Sequence, residues 1–179
     1  KEAKEYFSNL DENTTTYTFT DECGESLDLA FDKKLTNKRK DWLNNYNPNE
    51  IIERNEKNVS YNNFIHKDLI HFSNYDNERS IPSICDGLKP SQRKVIYTVI
   101  SRNLTTSIKV SQLAGSVSEK SSYHHGEASL QSTIIGLAQN FVGSNNINLL
   151  CPEGQFGTRL LGGKDHASPR YIYTKIVGN

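Results

Sequence analysis

Leu130, Ile134, Leu137 and Phe141 recur at steps of four, three and four residues. That spacing fits one stripe of an α-helix and no strand, because side chains on a helix return to the same face every 3.6 residues. A helix striped in this way needs partners to bury its apolar side, and two candidates precede it. Pro90 opens a segment carrying Val95, Ile96, Val99 and Ile100. Proline suits a first helical turn, where its missing amide proton would have had no acceptor. A shorter segment then carries Val110, Leu113, Ala114 and Val117, and Gly126 and Gly143 bracket the third helix. Leu149-Leu150 follow, then a stretch holding Gly154, Gly157, Gly162 and Gly163, then Tyr171-Ile172-Tyr173-Thr174. This order predicts a strand, a glycine-rich hairpin and a second strand. Three helices and a β-wing make a winged-helix domain, a relative of helix-turn-helix. The expected class is α+β, mainly α.

The first half of the chain is less regular. Ala3, Tyr6, Phe7 and Leu10 suit the tail of an amphipathic helix, and the Thr-rich stretch 11–20 predicts a loop. Residues 26–44 predict a strand or turn and then a helix ending near Tyr46, around the basic run Lys38-Arg39-Lys40. Residues 46–63, rich in Asn and Glu and holding Pro48, predict a linker. The resulting division is a small α/β segment over 1–45, the linker, and the winged-helix domain over 64–179.

Net charge is zero, but unevenly spread. Residues 1–80 hold 11 Lys and Arg against 16 Asp and Glu, and residues 81–179 hold 10 against 5. A net of −5 joined to a net of +5 suggests that one half faces a polyanion, although a merely solvated basic surface has the same signature. Cys23, Cys85 and Cys151 lie too far apart for a zinc ribbon and are odd in number, which fits reduced thiols of an intracellular protein. No run of twenty apolar residues occurs, so no helical membrane span is expected. The first residues hold no signal peptide, and the absence of Met suggests a piece of a longer chain.

Three runs could carry chemistry. In Ser168-Pro169-Arg170-Tyr171 a phenol stands beside a guanidinium. A tyrosine attacking a phosphodiester needs such a cation to offset charge on the pentavalent phosphorus, and arginine's planar fork can bind two phosphate oxygens. Taken alone, a Tyr at the start of a strand usually packs or hydrogen-bonds. Tyr123-His124-His125-Gly126-Glu127 stands at the mouth of the third helix, where free amides attract an anion. Capping and packing explain the same residues equally simply. Asp86–Lys94 brings Lys89, Arg93 and Lys94 together over the start of a helix, as solvated surface or as a phosphate grip. The glycines at 154–163 lack the spacing of a nucleotide P-loop.

Several runs together resemble the DNA breakage–reunion region of eukaryotic and related viral type IIA topoisomerases. They are Asn77–Ser83, Asp86–Lys94, Gln112–Val117, Tyr123–Glu127, Leu137–Asn146, Gln155–Arg159, Gly162–Asp165 and Ser168–Tyr173. Upstream, Ala30–Lys34 and Lys38–Leu43 resemble the tail of the family's TOPRIM domain more loosely. The resemblance implies an ATP-hydrolysing enzyme that cuts and reseals double-stranded DNA as a homodimer, free of membranes. It works in the nucleus, or in host cytoplasm or a viral factory. Tyr171 would be the nucleophile, Arg170 would stabilise the transition state, and His125 would contact the scissile phosphate, with His124 structural. Arg79 and Arg93 would neutralise further phosphates. Arg39, Lys40, Lys89, Lys94, Tyr123 and Ser129 would hold the DNA backbone. The family binds Mg2+ through a Glu and an Asp-x-Asp run, which this sequence does not contain. The metal ligands and the ATP-binding domain would then lie outside this chain, no metal ligand is assigned within it, and the chain alone would not cleave DNA. A non-catalytic winged-helix DNA-binding module and a purely structural domain are the rival readings.

Overall fold

The computed structural model describes residues 1–53, 55–123 and 125–177, in two compact units that part after Ser80.

In the first unit, α1 (Glu2–Ser8) and α2 (Leu10–Asn13) lead to β1 (Thr16–Thr18). This strand pairs in parallel with β2 (Asn58–Ser60), Tyr17 lying opposite Val59. Between them stand α3 (Cys23–Phe31) and α4 (Thr36–Asn44). After β2 the chain makes Tyr61–Phe64 (α5), a π turn over Ile65–Leu69, and Ile70–Ser80 (α6) in unbroken succession. Ser60 starts this run by accepting the Asn63 N–H on its hydroxyl at 3.1 Å.

The π turn has a purpose visible in the packing. Trp42 Nε1 donates to His66 Nδ1 at 3.0 Å, and the Tyr46 hydroxyl meets His71 Nδ1 at 2.9 Å. Each pair is nearly perpendicular, at 89° and 82°. The aromatic donors are four residues apart and the imidazoles five. A π turn closes on i+5 rather than i+4, so it supplies the extra residue that this match requires.

Three expectations for this unit need correction. The loop foreseen at 11–20 contains β1, the strand or turn foreseen from residue 26 is α3, and the linker foreseen at 46–63 contains β2 and the first turn of α5. Three-residue strands are too short to show alternation. The buried face of α3 is carried by Cys23 and Ser26, whereas Phe31 is exposed, so its apolar spacing misleads.

The second unit opens with α7 (Pro90–Ser101), with Pro90 at its first position. Next come β3 (Ile108–Lys109), α8 (Val110–Ser121) and α9 (Glu127–Ala138), then β4 (Leu150–Glu153) and β5 (Tyr173–Ile176). The sheet is antiparallel in the order β3-β5-β4, with Tyr173 opposite both Lys109 and Glu153. Val95 and Val99 meet Val110, Leu113 and Val117, and Leu130, Ile134, Leu150 and Ile172 close the core. Each such side chain contributes about 1.5–3 kcal/mol by leaving water. Helices and wing follow the winged-helix order predicted from the apolar spacing.

Two features of this unit differ from that prediction. The third helix, expected to reach Phe141, stops at Ala138 because side chains further on intercept its last carbonyls. Asn145 Nδ2 donates to Gly136 O at 2.6 Å and to Gln139 O at 2.8 Å, and Ser144 Oγ donates to Gln139 O at 3.1 Å. The wing also has a third strand, the two-residue β3.

Candidate functional site

Tyr171 lies in a turn between Ser168 and the start of β5. Its own N–H donates to Ser168 O at 2.8 Å. Its ring is 74% exposed, while the next residue, Ile172, is 1% exposed and part of the core. The phenol is therefore presented to solvent from a backbone that is anchored immediately after it. Two amides of α8 complete the anchorage: Ser111 N–H donates to Pro169 O and Val110 N–H to Ile172 O, both at 3.1 Å. Arg170 is exposed between these fixed points.

A second group gathers around the entry to α9. Lys94 Nζ stands 5.8 Å from the centre of the Tyr123 ring. The His125 imidazole meets that ring at 5.4 Å and 75°, and the Tyr123 hydroxyl donates to Ser129 Oγ at 3.4 Å. Four residues singled out in the sequence thus share one locus. Tyr123 is only 9% exposed, so it serves as a floor between Lys94 and His125 instead of a face open to a ligand. Burial beneath a cation strengthens an ammonium–ring contact to about 1–2 kcal/mol. α9 carries no side-chain cap on its first turn, which leaves that turn's positive end available to an anion. His124 lies outside the described residues.

The remaining cations are more heavily engaged than a basic run suggests. Arg93 forms a two-point ion pair with Asp86, Nε to Oδ2 at 2.7 Å and Nη2 to Oδ1 at 2.8 Å, and Nη2 also donates to Leu88 O at 3.1 Å. This guanidinium holds the Asp86 carboxyl down at about 2. Only Nη1 remains to meet a phosphate. Lys89 caps α7 through its backbone, its N–H donating to Gln92 Oε1 at 2.9 Å.

In the first unit, Arg39 Nη1 donates to Leu29 O at 2.7 Å and Nη2 to Asp32 O at 3.2 Å, closing the end of α3. That contact set is structural, in place of the free DNA-backbone group expected. Lys40 on α4 is exposed. Arg79, in the last turn of α6, pairs with Asp76 at 2.7 Å and lies 5.5 Å from the Tyr75 ring centre.

Sequence reading missed two residue sets: Asp86, present in a run weighed only for its cations, and the first amides of α8. A seven-residue gap between Asp86 and Arg93 has no helical logic, and backbone donors leave no mark on side-chain patterns.

Among the described residues no group of three or more His, Cys, Asp or Glu could hold a metal ion. The residues present do not fit a magnesium site, and none of the chemistry below is routed through one.

The family model described as DNA gyrase/topoisomerase IV matches residues 79–178, and that of the C-terminal associated domain of TOPRIM matches residues 1–77. DNA topoisomerase 2-alpha of Rattus norvegicus is 54% identical over 189 residues, covering 98% of this chain and 12% of the relative. The mitochondrial DNA topoisomerase 2 of Dictyostelium discoideum is 53% identical, over 98% of this chain and 14% of its own length. A crystal structure of the Plasmodium falciparum topoisomerase II DNA-binding, cleavage and re-ligation domain superposes with a TM-score of 0.68 at 52% identity. It covers 98% of this chain, which in turn spans 24% of that one. With both units matched, the chain belongs to the DNA gyrase/topoisomerase IV family, in its eukaryotic type IIA topoisomerase branch.

Proposed function

We propose that this chain is the DNA-cleaving portion of a larger, ATP-hydrolysing topoisomerase II, and that Tyr171 is its nucleophile. The observation that carries this reading is the combination of an exposed phenol with an immobile backbone: Tyr171 faces solvent and Ile172 is locked in the core. The Tyr171 oxygen bonds to phosphorus as the bond from phosphorus to the 3′ oxygen breaks. The phenolic proton departs, the 3′ oxygen takes up a proton, and a 5′-phosphotyrosyl link remains. One phosphoester replaces another, so resealing is the same step reversed and needs no outside energy. Arg170 offsets the charge that builds on the pentavalent phosphorus. His125, backed by the uncapped start of α9, contacts the phosphate being cut, and Lys94, Lys89 and Ser129 hold neighbouring backbone. Arg79, Arg93, Arg39, Lys40 and Tyr123 contribute as partly engaged groups, Arg93 through its remaining Nη1.

We assign residues 1–80 to the TOPRIM-associated part and the rest to the winged-helix domain, a division supported by the two compact units and by the matched ranges. Two copies act together, one tyrosine on each strand of a DNA duplex. Magnesium supplies Lewis-acid chemistry from ligands in the part of the enzyme beyond this chain, and ATP is bound there too. The chain alone is expected not to cleave. Nuclear location is proposed from the relatives, one of which is named as mitochondrial.

The test uses the full-length protein. Tyr171→Phe is expected to yield no covalent protein–DNA complex after denaturant trapping on supercoiled plasmid, while duplex binding is kept. A covalent complex that persists in this variant would overturn the reading and leave a non-catalytic DNA-binding module.

A further inference from the structure

The turn that carries Tyr171 is secured by a helix and not by the strand that follows it. A helix leaves its first-turn amides without partners inside the helix. In α8 two of them are used: Val110 N–H donates to Ile172 O and Ser111 N–H to Pro169 O, each at 3.1 Å. The two acceptors stand on either side of Arg170 and Tyr171, so α8 grips the turn at both shoulders. β5 begins only at Tyr173.

The grip is stiff because α8 is itself core, with Val110, Leu113, Ala114 and Val117 buried. Its far end holds the other part of the site. Ser118 Oγ donates to Tyr123 O at 3.1 Å, and Ser118 O accepts the Tyr123 N–H at 3.3 Å. One packed helix therefore fixes the turn of the phenol at its start and the Tyr123–His125 segment at its end.

We infer that the backbone amides of Val110 and Ser111 position Tyr171, setting where its phenol and the Arg170 guanidinium stand. The inference rests on the reading of Tyr171 as nucleophile. Alignment of reacting atoms governs rate, and a misplacement of about 1 Å can cost about a hundredfold. Affinity for DNA comes instead from many phosphate contacts. Loosening this turn separates the two quantities: cleavage falls and binding stays.

A proline makes the test. Val110 is the first residue of α8, where proline is tolerated, and Lys109 before it already has the extended φ −61 and ψ 139 that a residue preceding proline adopts. In the full-length enzyme, Val110→Pro deletes the donor to Ile172 O. Val110→Ala loses comparable apolar contact but keeps that donor. The proline variant is expected to cleave plasmid at least about tenfold more slowly than the alanine variant, with duplex affinities within about twofold of each other. Equal cleavage by the two overturns the inference.

Should the proline variant fail to fold, judged by thermal melting, hydrogen exchange of the wild-type enzyme decides. Peptides across residues 108–113 are expected to retain slow amides, whereas exchange at the rate of open helix-start amides overturns it. Tyr171→Phe is run alongside. Covalent complex from that variant sinks the nucleophile itself, while an inert Tyr171→Phe beside matching Val110 variants sinks only the positioning.

Discussion

Arg93 is a cation in a basic run whose charge is already answered. Asp86 takes two of its N–H groups and the Leu88 carbonyl a further contact, so the pair closes the Ser83–Leu88 turn onto α7. The carboxyl of Asp86 sits at about 2, below its ordinary value near 3.9. A depressed carboxylate stabilises the fold above its unfolded value and loses that contribution as pH falls from about 4 toward 2. Asp86→Asn is accordingly expected to melt at lower temperature than wild type at pH 7, and to show a flatter acid limb between those values. Melting curves from neutral to acid pH check this, and parallel curves for the two proteins would contradict it. The pair is half exposed, so the effect is modest.

At the scale of elements, the loop between β4 and β5 is long for a wing but is built without slack. Thr158 donates its N–H and hydroxyl to the two oxygens of Asp165, each at 2.8 Å, and Phe156 is buried. Gly157 has φ +98, and a Cβ there would stand 2.6 Å from the Cα of Gly163. Gln139, just past α9, donates Nε2 to Phe156 O at 2.9 Å and so fastens the loop to the helix. Gly157→Ala meets both a left-handed backbone and a backbone collision, and is expected to cost at least about 1–3 kcal/mol. Chemical denaturation measures it, and a change below about half a kcal/mol would show that the loop yields more easily than this contact implies.

For the whole molecule, the division of charge and the division of fold coincide. The structure parts after Ser80, and on one side stand 11 cations against 16 anions, on the other 10 against 5. The basic side holds both Tyr171 and the Lys94–His125 group. Duplex binding by the full-length enzyme is expected to weaken steeply with salt, log affinity falling by about 0.9 per phosphate contact for each tenfold rise. Replacing Lys89 and Lys94 with Ala is expected to lower that slope by about one to two contacts. A slope unchanged in the double variant would remove both lysines from the DNA surface.

Sequence alone was enough for what repeats or is chemically explicit: the striped helix from Leu130, the Pro90 start, the glycine-rich wing, the charge division and the Arg170-Tyr171 pair. These are properties of neighbours along the chain, where spacing and residue type carry the physics. Tertiary structure decided the rest. It ended α9 at Ala138 with side chains from Ser144 and Asn145, turned Tyr123 inward as a floor, gave Arg39 to the end of α3 and paired Arg93 with Asp86. It also set the amides of Val110 and Ser111 against the turn of Tyr171. Each of these is a contact between groups far apart in the chain or made by backbone, and neither kind alters the pattern of side chains that a sequence displays.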